Sequence, residues 1–303
     1  MKRHSFKDWF FVTRPWSYPA SVMPVLVVIA YVFWLSSRQI VPADEISWVN
    51  GALALVVMAL FQAWGNVWSD LHDYESGVDT DESYGVKILT SGEYTPTEIR
   101  RLAMGLGCAA LLLGLCLCFM AGPLTVAFGL AGMALTVFYP KLKYNALGDL
   151  DIFLAYGILP ALGTAYVLTG TMVWSTLLLA VPVGSITVAI LHVNNTRDVH
   201  TDAKARIRTL AMLIGYKASR IGYIAEILVP FAIICLLVAF SVLPVWSLLS
   251  LVALVPALKN TKAMRSSSAA NLSSIVALDA ATAQLQLAFS LLLSISFVIA
   301  FFI

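Results

Sequence analysis

Residues 174–202 read WSTLLLAVPVGSITVAILHVNNTRDVHTD, an apolar run that ends in a polar, acidic segment. The run contains no Asp, Glu, Lys or Arg before Arg197. A helix needs about 20 apolar residues to cross the hydrocarbon core of a bilayer. The stretch therefore predicts a membrane-spanning helix whose polar end lies at the membrane surface.

The composition extends this prediction to the whole chain. Of the 303 residues, 60% are hydrophobic and 12% are charged, and the mean hydropathy is +0.85. A soluble globule cannot bury that much apolar surface, and disordered or fibrous chains have other compositions. A formal net charge of +2 offers no basic surface for a phosphate backbone, so no nucleic-acid partner is expected. The four cysteines all lie in apolar runs and are interpreted as packing residues.

Apolar runs of suitable length recur along the chain. We predict one all-α, polytopic membrane domain over residues 1–303 with nine transmembrane helices. The predicted spans are residues 17–35, 49–68, 102–120, 124–138, 152–168, 174–193, 221–242, 243–258 and 281–303. The placement of polar loops indicates two pseudo-repeats, residues 15–140 and 150–260, followed by a last helix at 281–303.

The distribution of basic residues predicts the orientation of the spans. Lys and Arg accumulate in cytoplasmic loops. If the chain has nine spans and a cytoplasmic N-terminus, 18 of the 19 Lys and Arg residues lie in cytoplasmic segments, and Arg38 alone lies on the external side. We therefore expect a cytoplasmic N-terminus, an external C-terminus, and the long polar loops on the cytoplasmic side.

Two of these loops carry acids directly after a span. Each combines Asn with Asp residues at helical spacing, so the polar side chains share one face if the helix continues. The two sets are Asn66, Asp70 and Asp73, and Asn194, Asp198 and Asp202. Clustered carboxylates call for a compensating cation, and hard oxygen ligands favour Mg²⁺ or Ca²⁺. Two acidic patches around a diphosphate fit Mg²⁺, which keeps waters and binds substrate phosphates.

These features also have plainer alternatives. A single acidic loop is often a solvated surface with helix caps, although two such loops after two spans are harder to explain in that way. Lys141 and Lys143 are either positive-inside anchors or phosphate ligands, and Arg197 has the same two interpretations. His72 and His200 are interpreted as polar loop residues.

At the two acidic loops the sequence resembles the UbiA superfamily of intramembrane aromatic prenyltransferases, which have nine transmembrane helices and two Asp-rich cytoplasmic motifs. The family's first motif usually reads Asn-Asp-x-x-Asp with a further Asp downstream. Here it is Ser69-Asp70-Leu71-His72-Asp73 with Asp79 downstream, so Ser69 replaces the usual Asn. Within the superfamily, the sequence is most similar to the branch that prenylates 1,4-dihydroxy-2-naphthoate. Three stretches carry this similarity: residues 14–21, residues 143–150, and residues 194–202 together with 208–211.

The resemblance extends over most of the chain from Arg14 onwards and has one further departure. The family usually has Arg directly after the last Asp of the second motif and Gly three residues later. This chain has Ala203 and Arg206 at those positions. Lys204 is a candidate to replace that Arg.

The resemblance implies a set of site residues. Two Mg²⁺ ions are expected to bridge the diphosphate, held by Asp70, Asp73, Asp79, Asn194, Asp198 and Asp202. Substrate contacts are expected from Asn66, Ser69, Lys143, Tyr144, Asn194, Asn195, Arg197 and Lys204. The expected catalytic set is Asp70, Asp73, Asp198, Asp202, Lys143 and Tyr139, with the Tyr139 ring stabilising an allyl cation.

The resemblance also implies the reaction and its setting. A polyprenyl group passes from an allylic diphosphate to 1,4-dihydroxy-2-naphthoate, with loss of CO₂ and diphosphate, and forms demethylmenaquinol for menaquinone synthesis. The expected location is the bilayer of a bacterial inner membrane.

Two alternatives stay open, another aromatic or lipid acceptor within the superfamily and a cation-coupled transporter. Transporters place coupling-ion acids near the membrane midplane, whereas these acids lie at one edge. Glu226, near the start of the seventh span, is an intramembrane acid and so a candidate for function.

Overall fold

A computed structural model gives the fold and describes residues 4–79, 87–205 and 207–303. These residues form helices joined by short connections, and the described ranges contain isolated β-bridges but no strand. The α-helices are α1 (Phe6–Val12), α2 (Tyr18–Ser37), α3 (Trp48–Glu75), α4 (Pro96–Ala121), α5 (Leu124–Tyr144), α6 (Gly148–Phe153), α7 (Leu159–Thr169), α8 (Leu177–Arg197), α9 (Val199–Lys204), α10 (Leu210–Ile214), α11 (Tyr216–Ala239), α12 (Leu254–Ser266) and α13 (Leu278–Phe302). The 3₁₀ helices are Pro15–Ser17, Ala43–Glu45, Trp174–Thr176, Val245–Ala253 and Ser273–Ile275, and a π-helical turn covers Leu154–Ile158.

Eight helical segments in the described part of the chain are long and apolar enough to cross a membrane. They coincide with the first seven predicted spans and with the ninth. The all-α class and the polytopic membrane architecture are therefore confirmed, whereas the number of nine transmembrane helices is not.

The segment predicted as the eighth span, residues 243–258, does not form one regular α-helix. It is a 3₁₀ helix over Val245–Ala253 that continues directly into α12. Pro256 has no N–H to donate to the carbonyl of Val252, and its ring clashes with that carbonyl in α geometry. A continuous α-helix through this point is therefore disfavoured.

Two helices extend beyond their apolar runs and carry the acidic motifs on regular backbone. Helix α3 continues to Glu75, seven residues past the end of the predicted span, and α8 continues to Arg197. Polar residues do not break a helix when their side chains face a cavity or solvent. Asp70 and Asp73 consequently lie on a helix and not in a loop, which fixes their positions relative to α8.

The core lies around α2, α8 and α13, and helices α4 and α5 stand at the periphery. Helix α13 packs along α2 and α8, and α8 packs along α11. Tyr31, Tyr223, Phe289 and Phe297 are among the largest buried side chains of this core. Only 22% of the α4 span and 11% of the α5 span are buried, so these two helices present apolar surface for lipid.

The π-helical turn lies against α8 at a contact between two glycines. A Cβ on Gly184 would lie 2.9 Å from the Cα of Gly157, and one on Gly157 would lie 3.1 Å from the carbonyl oxygen of Ala180. Such turns re-aim side chains within a helix and are frequent at functional sites. Here the turn carries Ala155 and Tyr156, which both line the cavity described below.

Gly184→Ala is expected to lower the stability of the protein by about 1–3 kcal/mol, because the added methyl meets backbone that cannot move aside. The matched control is Gly105→Ala on α4, where nothing lies within 4 Å of the added Cβ. A thermal unfolding scan in detergent should show a lower Tm for the first variant and an unchanged or higher Tm for the second. Equal Tm values for Gly184→Ala and the wild type would contradict the tight contact.

Candidate active site

The ends of α3, α5 and α8 meet around a polar cavity of about 380 Å³. Both acidic motifs contribute to its wall, together with the basic end of α5. The sequence-predicted residues that line it are Asn66, Ser69, Asp70, Asp73, Asp79, Tyr139, Lys143, Asn194, Asn195, Arg197, Asp198 and Asp202. Two predicted residues are not part of the lining. Tyr144 does not line the cavity itself, but its hydroxyl donates a hydrogen bond to Asp73, which does. Lys204 is exposed on α9.

Asp70 is buried and pairs with an arginine from the N-terminal segment. Arg14 Nη2 donates to Asp70 Oδ1, while Asp70 Oδ2 has no donor within the described residues. Arg14 has a φ of 54°, in the left-handed region that non-glycine residues rarely adopt. The N–H and hydroxyl of Ser17 each donate to the Arg14 carbonyl at 2.9 Å and hold this turn. Such unfavourable backbone is often retained at functional sites.

Asn66 ties this N-terminal segment to α3. Its Nδ2 donates to the Thr13 carbonyl and to Ser17 Oγ, each at 2.9 Å, and its Oδ1 accepts from Gln62 Nε2 at 3.0 Å. The amide of Asn66 lines the cavity but is already engaged with protein. The structure therefore gives Asn66 a role in positioning Arg14 next to Asp70.

Asp73 sits between the end of α5 and the rest of α3. Its Oδ2 lies 3.4 Å from Lys143 Nζ, and its Oδ1 accepts a hydrogen bond from Tyr144. The Tyr144 hydroxyl also lies 3.4 Å from His72 Nδ1, and Ser76 Oγ lies 3.1 Å from the same nitrogen. Lys143 and Tyr144 thus fix the direction in which the Asp73 carboxylate faces the cavity, and His72 supports Tyr144 from outside.

Arg197 is buried and organises the second motif. It binds Asp198 in a bidentate manner, with Nε 2.7 Å from Oδ1 and Nη2 2.9 Å from Oδ2. Its Nη1 donates to Asp279 Oδ2 and to the Val276 carbonyl, each at 3.1 Å. The guanidinium therefore connects the end of α8 to the start of α13, and Asp279 becomes part of the cavity wall.

Three buried acceptor oxygens of the two motifs have no donor within the part of the chain that the structure describes. They are Asp70 Oδ2, Asn194 Oδ1 and Asp202 Oδ2. Burial raises the pKa of Asp202 to about 7. Burial also raises the pKa of Asp79, and the neighbouring Asp73 carboxylate raises it further. Buried carboxyl and amide oxygens that lack a positive partner fit a hard divalent cation such as Mg²⁺.

Several residues of this cavity were not predicted from the sequence. Arg14 belongs to a stretch used for the family resemblance but had no role assigned, and Asp151, Tyr156 and Asp279 had none either. Asp151 lies two residues after Asp149, and this acidic stretch was the one local feature of the sequence that could have indicated a site residue there. Arg206 lies outside the described residues.

A second, apolar cavity of about 220 Å³ continues from the polar one. Phe61, Thr136, Ala155 and Tyr156 line both. The apolar cavity lies among α3, α4, α5 and α7, and its outer wall includes the exposed side chains of Leu111, Leu115, Val126 and Leu130. A polar chamber thus leads into an apolar space that reaches the lipid-facing surface.

The chain is similar to known proteins along most of its length. The model of the UbiA prenyltransferase family matches residues 21–276. The UbiA prenyltransferase domain-containing protein 1 homolog of Drosophila melanogaster is 32% identical over 267 residues, which cover 84% of this chain and 71% of that protein. The 1,4-dihydroxy-2-naphthoate octaprenyltransferase of Mycobacterium tuberculosis is 29% identical over 223 residues, which cover 72% of this chain and 74% of that protein.

The fold is also that of a solved relative. A UbiA homolog from Archaeoglobus fulgidus bound to GPP and Mg²⁺ superposes with a TM-score of 0.63 at 15% identity, over 94% of this chain and 98% of that one. The fold, the two facing motifs and the family match together describe a membrane-embedded prenyltransferase. The chain belongs to the UbiA prenyltransferase family.

Proposed function

We propose that the protein transfers a polyprenyl group from an allylic diphosphate to 1,4-dihydroxy-2-naphthoate, and that this reaction serves menaquinone synthesis. One observation carries the proposal. The two acidic motifs face each other across a polar cavity that continues into an apolar cavity between lipid-facing helices. This arrangement suits a substrate with a charged head and a long hydrocarbon tail.

The diphosphate head is proposed to bind between the two motifs. Two Mg²⁺ ions would be held by Asp70, Asp73, Asp79, Asn194, Asp198 and Asp202, and the fit rests on the buried oxygens without a donor at Asp70, Asn194 and Asp202. Bound Mg²⁺ supplies Lewis-acid neutralisation of the negative charge on the diphosphate. Lys143 and Arg197 would donate charge-assisted hydrogen bonds to the departing oxygens, where charge develops in the transition state.

The chemistry needs little proton transfer from the protein. The bond between C1 of the prenyl group and the diphosphate oxygen breaks, and the electron pair leaves with diphosphate. A ring carbon of the acceptor forms a bond to C1, and the carboxylate on that carbon leaves as CO₂ and returns its electron pair to the ring. Tyr139, Tyr156 and Phe61 line the path and can stabilise an allyl cation by about 0.5–2 kcal/mol each.

The acceptor assignment is supported by the name and 29% identity of the Mycobacterium tuberculosis relative and by the motif resemblance. The name of the Drosophila melanogaster relative specifies no acceptor. The experiment therefore tests other aromatic and lipid acceptors in parallel with 1,4-dihydroxy-2-naphthoate.

The test uses the purified chain in detergent with 1,4-dihydroxy-2-naphthoate, a polyprenyl diphosphate and Mg²⁺, with EDTA as the control. We expect mass spectrometry to find a prenylated naphthoquinol without the carboxylate, formed only when Mg²⁺ is present. Diphosphate release with a different acceptor alone would overturn the acceptor while keeping the reaction class. No release with any acceptor would favour a cation-coupled transporter.

The apolar cavity is proposed to hold the prenyl tail, and Gly132 lies in its wall. Gly132→Phe is expected to shift preference towards short prenyl diphosphates by about tenfold or more, because a bulky side chain fills space needed by the tail. The measurement compares kcat/KM for geranyl diphosphate with that for a long-chain donor. Gly105→Phe on α4 is the matched control, because Gly105 does not line the cavity and nothing lies within 4 Å of an added Cβ there. An unchanged ratio for Gly132→Phe would contradict this path.

A ninth crossing is proposed for the mixed helix that comprises Val245–Ala253 and α12. With a rise of about 2.0 Å per 3₁₀ residue and 1.5 Å per α residue, the whole helix measures roughly 37 Å and its apolar part, residues 245–258, roughly 26 Å, against a hydrocarbon core of about 30 Å. With the cytoplasmic N-terminus and motifs that the distribution of Lys and Arg predicts, a ninth crossing would put the C-terminus outside. Labelling of single cysteines at the two ends tests it. The bacterial inner membrane stays a prediction from the resemblance.

A further inference from the structure

A second group of metal-ligating side chains lies outside the polar cavity. His192 Nδ1 is 2.8 Å from Asp149 Oδ2 and 2.9 Å from Glu226 Oε1. The three residues come from α8, α6 and α11, and one ligand atom of each lies within 4.8 Å of the others. His192 and Asp149 are buried, and Glu226 is about one-fifth exposed (21%).

The hydrogen bonds around His192 indicate which ring nitrogen carries a proton. The Thr196 hydroxyl donates to the His192 carbonyl, and the Ser219 and Thr196 hydroxyls are in contact. Because the Thr196 proton is already used, Ser219 donates to Thr196. The Ser219 oxygen is then left to accept from His192 Nε2–H, at 2.8 Å.

This assignment leaves the lone pair of a neutral His192 at Nδ1, facing two carboxylate oxygens. Three acceptors at this spacing require a positive species between them. A single proton on Nδ1 can point at only one of the two oxygens, and Nδ1 forms no well-directed hydrogen bond within the described residues. Within residues 4–79, 87–205 and 207–303, no Lys or Arg forms an ion pair with Asp149 or Glu226.

A divalent metal ion balances the charge and can be reached by all three ligand atoms, which lie within 4.8 Å of one another. Ligand atoms about 2.1 Å from a tetrahedral Zn²⁺ lie roughly 3.4 Å apart, so the two contacts of 2.8 and 2.9 Å would open by about 0.5 Å when the ion binds. Two carboxylates, a neutral imidazole and a divalent ion form a neutral group, which is the least costly state in a buried site. The Nε2–H···Ser219 hydrogen bond is the usual support for a metal-binding histidine.

We propose that Asp149, His192 and Glu226 bind a Zn²⁺ ion, with water as the fourth ligand, at a site distinct from the diphosphate site. An imidazole nitrogen combined with carboxylates suits Zn²⁺, whereas Mg²⁺ prefers oxygen ligands. The ion joins α6, α8 and α11 directly behind the second acidic motif. Asp149 Oδ1 also accepts from Asn195 Nδ2 at 3.3 Å, so the site supports the residue next to Asn194.

The test measures metal content in the full-length protein purified in detergent. After dialysis against Zn²⁺ and removal of loose metal, mass spectrometry should find one Zn²⁺ per wild-type chain. His192→Gln and Glu226→Gln should reduce this to background. His200→Gln is the matched control, since His200 is exposed on α9, and it should keep the ion. Asp73→Asn should also keep it, which separates this site from the diphosphate site.

Thermal unfolding gives a readout that does not depend on catalysis. Adding Zn²⁺ to EDTA-treated wild-type protein should raise Tm by about 3 °C or more, because the ion binds only the folded chain. Glu226→Gln should show no such rise. Wild-type protein that holds no Zn²⁺ and does not respond in Tm would overturn the proposal, as would equal Zn²⁺ content in wild type, His192→Gln and Glu226→Gln.

Discussion

Asp73→Asn is expected to lower the rate of diphosphate release by about 10²–10³-fold while the protein stays folded. The substitution keeps the size and shape of the side chain, and the new carbonyl oxygen can still accept from Tyr144. It removes the negative charge that faces Lys143 and that would help to hold Mg²⁺. Initial rates with saturating acceptor and Mg²⁺, together with Tm in the same detergent, provide the measurement.

Glu75→Gln is the control for this change. Glu75 lies two residues further along α3, is exposed, and pairs with Arg100 away from the cavity. We expect this variant to keep the wild-type rate. If Asp73→Asn retained activity within about fivefold of wild type, a loss of under about 1 kcal/mol in transition-state stabilisation, Asp73 would not belong to the diphosphate site.

The comparison of α3 with its sequence shows where prediction from apolar runs succeeds and where it stops. The run that predicts this span ends at Trp68, and the predicted centre of the helix is correct. The helix itself continues to Glu75 because backbone hydrogen bonding persists as long as polar side chains face a cavity or solvent. Hydropathy identifies the part of a helix that is apolar. It does not predict the polar helix ends, which carry the acidic residues of the site.

The partners of the acidic residues lie far away in the sequence. Arg14 is separated from Asp70 by 56 residues, and Asp279 is separated from Arg197 by 82. Spacing along one helix predicts which acids share a face. It carries no information on which cation from another helix meets them. Composition and motif therefore lead to the two acidic motifs, while Arg14 and Asp279 emerge only from the packing of α13 and of the N-terminal segment.

The burial of both motifs at helix ends has a cost that the fold must offset. Carboxylates taken out of water need positive partners, and the described cavity supplies Arg14, Lys143 and Arg197. Each of these cations also connects two elements of the fold. The same ion pairs that organise the site consequently contribute to the packing of α13 on α8 and of the N-terminal segment on α3.

Arg197→Gln tests this double role and is expected to destabilise the protein by about 2–4 kcal/mol as well as to inactivate it. The variant leaves Asp198 and Asp279 without the guanidinium that lies between them, and it removes a donor to the Val276 carbonyl. The two carboxylates are partly exposed, at 21% and 30%, so solvent reduces the penalty below that of a fully buried pair. The loss should appear as a lower Tm in detergent.

The control for Arg197→Gln is Arg100→Gln, which breaks the ion pair with Glu75. Both side chains of that pair are about half exposed, and such pairs contribute about 0–1 kcal/mol. Adding Asp279→Asn to Arg197→Gln should recover part of the lost Tm, because it removes one of the two uncompensated charges, but it should not restore turnover. If Arg197→Gln lowered Tm no more than Arg100→Gln, the link between α8 and α13 would not depend on the guanidinium. Recovery of stability without recovery of activity separates the contribution of Arg197 to packing from its contribution to the diphosphate site.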